Sequence, residues 1–392
     1  MTNLITRAEI ARLAHDLGAD HHELAFLERA RADDLRDFRI ALVGQLYGEH
    51  ASKLRKIASL SRAMPVSFLV RMATKIVGPE LSGMVASELS PERAARLMSA
   101  TPTEFAADTA AFVNPEAAGP IVRQLEPDVM LPTVVELLRR KDYPTVAKFV
   151  SVASDTQLRA LVPRVPSGKD LLLAGFHTSA VDRFELVVIE MPDERIRSIL
   201  AAAVEENLFA EALTLIPQFA LETLGRIGDI AVAMGTDVLV PMVETAERIE
   251  AWSELIPIVA AMSPPQLRRL IGLDLWSDER LTSIITAADR DGRWHHLRPI
   301  LEGMSPERLR QVATLPLVVD GAIVDRILTA LHADGPIDPL VPLLVQMDPE
   351  VRQQVWDRTA GLDDELAASL VRASRAYGEP VTSVVGALAT RR

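Results

Sequence analysis

Residues 258–270 read IVAAMSPPQLRRL: the end of one apolar helix, a Ser-Pro turn and the start of the next. The arrangement returns as LEGMSPERLRQV at 301–312 and LVQMDPEVRQQV at 344–355, with an earlier copy, IPQFALETLGRI, at 216–227. The anchors Phe219, Met262, Met304 and Met347 lie 43, 42 and 43 residues apart, a period that marks a stacked helical repeat. A second column, Phe209, Trp252, Trp294 and Ile337, sits ten residues before each anchor in the same phase. The turn has a chemical logic. Ser263, Ser305 and Asp348 are N-cap types, whose side-chain oxygen accepts from an early helical N–H. Pro264, Pro306 and Pro349 follow at the first helical position, where no donor is lost.

The chain has 392 residues, 48 % of them apolar but only 4 % aromatic, so the apolar mass is aliphatic and suits close-packed helices. The absence of cysteine excludes disulfides, a thiolate nucleophile and Cys-ligated zinc. MTNLITRAEIARL at the N-terminus has no apolar core of a secretory signal, and no run approaches the roughly 20 apolar residues of a membrane span. A cytoplasmic protein is expected. The net charge of −12 is uneven: residues 200–392 hold 17 Lys and Arg against 28 Asp and Glu, and residues 1–199 hold 25 against 26. An acidic second half speaks against a nucleic-acid partner, because phosphates need a basic surface.

Three segments follow from the rhythm. Residues 1–64 read as a helical N-terminal cap. Thr6 is placed to cap a first helix that ends at Gly18, Ala19–Asp37 is a charged helical segment, and Asp37–Arg62 is a longer helix with Phe38, Leu42, Leu46, Leu54 and Ile57 among its apolar positions. Lys53, Arg55, Lys56 and Arg62 gather at its end, as the helix dipole favours; docking to an anionic surface is the alternative. Residues 65–126 form a short-helix superhelical segment, with Pro65, Pro79, Pro91, Pro102, Pro115 and Pro127 each opening a helix too short to stand alone. Residues 127–392 carry the longer repeats and a C-terminal cap, with spacings of 28 residues read as two helices and 38–43 as three, the size of an armadillo or HEAT-like unit.

LSPERAARLMSATPTEF at 89–105 and VNPEAAGPIVRQLEPDV at 113–129 resemble the short-helix superhelix of the intracellular N-terminal domain of MgtE-type magnesium transporters, and the middle segments of the flagellar rotor protein FliG have a similar texture. The likeness covers mainly residues 78–130. It implies the superhelical fold and leaves a divalent-cation-responsive regulator among the functions to consider, without the transporter's membrane part.

The polar clusters offer little chemistry. Asp289-Arg290-Asp291-Gly292 resembles the start of a calcium loop, but the twelfth position is Ile300 rather than Glu. His295 and His296 are adjacent and would point about 100° apart on a helix. His21-His22-Glu23 lacks a second His one turn away. Pro166-Ser167-Gly168-Lys169 lacks the phosphate-loop glycine and hydroxyl, so Ser167 reads as a helix cap. No catalytic, cofactor-binding or metal-binding residue is assigned, and the chain is expected not to be an enzyme.

The fold expected is all-α, a right-handed α-solenoid of short helices passing into armadillo/HEAT-like two- and three-helix repeats. The first functional expectation is a scaffold that presents its surface to a protein partner. The alternative is a carrier or sensor of a lipid-like apolar small molecule in a groove lined by Phe149, Phe176, Phe184, Phe209, Phe219, Trp252 and Trp294. Ordinary inter-repeat core is the simpler role for these aromatics.

Overall fold

The computed structural model describes residues 4–17, 19–48, 51–178, 181–319, 323, 326–327, 340–362 and 364–389. Among them every regular element is helical, so the chain is all-α. It divides into two compact units, Met1–Phe219 and Ala220–Arg392. That boundary falls inside the segment 127–392, at the first anchor of the 42–43-residue period.

The first unit begins with α1 (Leu4–Leu17), a 3₁₀ segment (His21–Arg29), α2 (Ala32–Gly48) and α3 (Ala51–Ser61). Thr6 lies inside α1 rather than at its cap, and its hydroxyl donates to Ala30 O at 3.5 Å. The expected helix 37–62 is two helices, the first starting already at Ala32, ahead of Asp33 and Asp34 in its first turn. Asp20 opens the 3₁₀ segment by accepting from His22 N at 2.9 Å.

The proline rhythm gives the next elements almost residue for residue. They are α4 (Val66–Met72), α5 (Pro79–Ser87), α6 (Pro91–Ser99), α7 (Thr103–Ala110), α8 (Pro115–Val122) and α9 (Pro127–Arg139). α4 runs on into a π-helical turn, Ala73–Val77. Then come α10 (Tyr143–Val152), α11 (Asp155–Leu161), α12 (Gly168–His177), α13 (Val181–Glu190), α14 (Asp193–Glu205) and α15 (Phe209–Leu213). From α3 to α14 the helices alternate between two layers. The odd ones from α3 to α13 each pack on the next odd one, and the even ones from α4 to α14 each pack on the next even one. Short amphipathic helices gain stability this way, since each buries its stripe against two neighbours.

A polar clamp accompanies the stacking. Gln157, in the first turn of α11, is buried and donates to Val122 O at 2.8 Å and Leu125 O at 2.7 Å, at the end of α8. Its Oε1 closes a capping box with Ser154. Arg93 in α6 reaches Ser61 O at 3.3 Å and also Met64 O, beyond α3. Arg195 in α14 reaches Pro166 O at 3.0 Å and also Val165 O. The carbonyls that a helix end leaves without partners are thus met by a side chain from about 30 residues further along.

α1 is anchored differently. Glu9 is 0 % exposed and is surrounded by Arg12, by Arg36 Nε at 3.4 Å and by Arg39 Nε at 3.4 Å. Arg12 also donates to Phe176 O, His177 O and Thr178 O at 2.9, 2.9 and 2.6 Å, the carbonyl end of α12. Burial pushes the Arg12 guanidinium below its ordinary pKa, and Glu9 opposes that shift.

The second unit shows the period in its helix starts. α16 (Leu221–Met234) and α17 (Thr236–Arg248) are followed by α18 (Trp252–Ala261), α19 (Pro264–Ile271), α20 (Asp278–Arg290), α21 (Leu297–Gly303) and α22 (Pro306–Ala313), with the helices Leu340–Gln346, Pro349–Leu362, Asp364–Ser374 and Glu379–Ala389 beyond. Leu221, Pro264, Pro306 and Pro349 open equivalent helices. α16 packs closely on α18 because glycines face the contact: a Cβ on Gly225 would sit 2.1 Å from Ala261 O, and one on Gly228 2.8 Å from Met262 Cγ. Asp229 Oδ1 then accepts from Ser263 N at 2.9 Å. Ser263 has cap dihedrals but its hydroxyl makes no cap bond, contrary to expectation, whereas Ser305 does accept from Arg308 N at 3.2 Å. The second column is core: Phe209 in the first unit, and Trp252 and Trp294 in the second, are all buried. Ile337 lies outside the described residues.

Candidate functional site

Of the seven aromatic residues expected to line a groove, six have described side chains, four in the first unit and two in the second. Phe149 is buried beside a small cavity of about 50 Å³ in the first unit. Phe176 stands edge-on to His177, with ring centroids 5.0 Å apart. Phe209 is core and Phe219 is half-buried; the side chain of Phe184 lies outside the described residues. In the second unit Trp252 lines a cavity of about 120 Å³ together with Trp276, while Trp294 packs into the core around Leu297 and Leu315. These rings mostly fill space between helices, which is the simpler of the two roles their spacing allows.

The polar clusters are tied into the fold. Asp289 pairs with Arg326 at 2.6 and 2.7 Å. Asp291 holds Arg290 at 3.0 Å and the Ser253 hydroxyl, and these bonds depress its pKa. Gly292 takes φ +63°, a left-handed turn that suits glycine. His295 and His296 lie in a 3₁₀ turn rather than an α-helix, with their ring centroids 3.9 Å apart and the ring planes tilted by 45°. Burial, then His295 and Arg293, push His296 down to about 4. Ser167 caps α12 by accepting from Asp170 N at 3.2 Å, and Lys169 pairs with Glu206 at 2.7 Å. Among the described residues no three His, Asp or Glu come together as a metal site.

A further cavity lies where no site was expected. It measures about 270 Å³, is open on one side and is bounded by α3 to α7, with Leu69, Ala73, Val85, Leu97 and Phe105 among its walls. Its four hydroxyl side chains are turned to their own helices. Ser61 donates to Ala58 O at 2.7 Å, Ser82 to Gly78 O at 2.6 Å, Thr101 to Leu97 O at 2.7 Å and Thr109 to Phe105 O at 2.7 Å. The interior therefore offers a guest apolar surface and hydroxyls already committed elsewhere. The π-turn Ala73–Val77 contributes two wall residues, Ala73 and Val77; such turns are frequent at functional sites.

The surface beside this cavity is apolar and basic. Ile57, 44 % exposed, and Leu60, 70 % exposed, both line the cavity from α3. Phe68 and Ile76 are exposed on the following helix and turn. Residues 51–77 hold six Lys and Arg and no Asp or Glu, in a chain of net charge −12. All six are exposed. Arg55 pairs with Glu88 at 3.5 Å. The sequence showed four of these cations, Lys53, Arg55, Lys56 and Arg62, which read as helix-end residues, and Ile57 as an apolar position of the same helix. The gap beneath them depends on how five helices meet.

No family model matches this chain, and no curated protein matches it. One solved structure, described as a circular tandem repeat protein with novel repeat topology and enhanced subunit contact surfaces, aligns over 98 % of this chain and 93 % of its own, at 13 % identity and a TM-score of 0.23. A likeness at that score supports no inference about function.

Proposed function

We propose that this chain is a non-enzymatic binding protein whose first unit presents an apolar surface to a protein partner. The observation that carries this is the placement of exposed large apolar side chains. Leu17, Phe26, Phe38, Ile40, Ile57, Leu60, Phe68, Ile76 and Leu81 all lie in the first 81 residues, and Phe26 and Ile76 are 74 % and 81 % exposed. Nine of the sixteen exposed large apolar side chains among the described residues fall in this stretch, and exposed apolar patches mark interaction sites. The polar clusters named above serve ion pairs and caps, which supports a binding role over a catalytic one.

The test is site-specific photo-crosslinking in the native host, with benzophenone side chains at Phe26, Phe38 and Phe68 and, as controls, at the exposed positions Glu194 and Glu279. A discrete protein adduct from the first three positions, lost when Ile40→Asp is added, is expected. No adduct, or adducts equal at all five positions, would overturn the reading. A second reading, a carrier of an apolar small molecule, is favoured by the 270 Å³ cavity.

A further inference from the structure

We infer that the α3–α7 cavity binds the alkyl chain of a long-chain carboxylate, with the carboxylate held at the mouth by Lys53 and Lys56. The inference rests on the carrier reading and specifies its ligand. Lys53, Lys56, Ile57 and Leu60 are spaced i, i+3, i+4 and i+7 along α3. On a helix such residues share one face, with side chains about 5–6 Å apart at Cβ. Lys53 is thus one turn from Ile57, and Lys56 one turn from Leu60, at the place where those two apolar residues open into the cavity. Neither lysine has an ion-pair partner among the described residues. The nearby Glu88 is engaged by Arg55.

The interior selects against polar guests. The four hydroxyl protons are given to carbonyls of their own helices, so an acceptor on the ligand would find no free hydroxyl donor and go unpaired at a cost. An unbranched alkyl chain makes no such demand. A cavity of 150 Å³ accommodates benzene, so by proportion about 270 Å³ takes roughly ten or eleven carbon atoms. A chain of that length ends at the mouth, where its charged group meets two cations and the remaining methylenes meet exposed Ile57 and Leu60. Charge complementarity therefore names a negative head group, and the lack of free donors inside names a plain hydrocarbon tail.

The experiment is titration calorimetry of the full chain with monomeric octanoate, decanoate and dodecanoate, and with dodecanol at matched free concentration. Dodecanoate is expected to bind one per chain. Each methylene removed should weaken binding about fourfold. Lys53→Gln with Lys56→Gln should weaken dodecanoate about fivefold to tenfold and leave dodecanol within twofold. Ala86→Phe, or Ala73→Leu should the first not fold, should abolish binding of both while circular dichroism is unchanged. Equal binding of dodecanol and dodecanoate, unaffected by the lysine changes, would overturn the anionic head group and leave the carrier reading standing. Absence of binding by either probe would overturn both. Protein that ignores the monomers but sediments with phosphatidylglycerol vesicles would replace the cavity site with a membrane-docking surface.

Discussion

Replacing Glu9 by Gln keeps the size of the side chain and removes its charge. The carboxylate is fully buried among three guanidinium groups, with Arg36 and Arg39 at 3.4 Å. At an effective dielectric of about 20, each 3.4 Å pair is worth roughly 5 kcal/mol before desolvation. Desolvation cancels much of that gain, so the pair itself is no large source of stability. Losing only the anion is different, because Arg12 then stays buried beside two like charges, and truncating one partner of a buried pair costs about 3–5 kcal/mol. The cost falls on the junction of α1 with α12, where Arg12 meets three carbonyls. Hydrogen exchange followed by mass spectrometry reads it directly. Amides of α1 in Glu9→Gln should exchange about two to four orders of magnitude faster, while peptides of α6 to α8 serve as the reference. Arg36→Met, whose side chain is 37 % exposed, should cost less than about 1 kcal/mol. Exchange of α1 within threefold of the unaltered protein would refute the role given to the buried carboxylate.

Gly225→Ala should destabilise the second unit by about 1–3 kcal/mol through overpacking, since the new Cβ would meet Ala261 O. Gly386→Ala, with open space around its Cβ, should stabilise by about 0.5–1 kcal/mol; urea titration checks both signs. Gln157→Leu should lower stability by about 2–3 kcal/mol, because it strands the carbonyls of Val122 and Leu125, and thermal unfolding measures it. His296 is held below its ordinary pKa, at about 4, so the unfolded chain binds the extra proton first. Its contribution is complete above about pH 6.5 and is lost as pH falls towards 4. Comparing His296→Gln with the unaltered chain across that window should isolate about 1–2 kcal/mol, after allowance for its partial exposure.

The parts of the fold that show in sequence are those written locally. Pro79, Pro91, Pro115 and Pro127 each begin a helix because proline fits the first helical position and little else there. The 42–43-residue period survives for the same reason, since each Ser-Pro or Asp-Pro turn is made by four adjacent residues. Long-range partners were hidden. Gln157 and Arg93 look like ordinary surface residues of a helix start, and only the stacked neighbour about 30 residues earlier gives them carbonyls to hold. Glu9 sits in a charged helix whose sequence contains nothing to mark it as buried. The aromatics carried a true periodic signal, but periodicity alone cannot separate a groove from a core. The cavity beneath Ile57 and Leu60 had no signal of its own, because it is the space that five helices leave unfilled.

The bond between Arg12 and the carbonyls of residues 176–178 has a consequence for how the chain is made. Glu9, Arg36 and Arg39 emerge from the ribosome close together, yet the α12 end that completes their setting is translated later, by about 7–30 s at ordinary elongation rates. The alternating helices need no such wait, since each finds its partner two helices back. α1 is therefore among the last helices of its unit to reach its final place, and until then its buried charges stay in water. A nascent chain stalled before residue 168 should leave α1 open to protease while α5 to α9 are already protected.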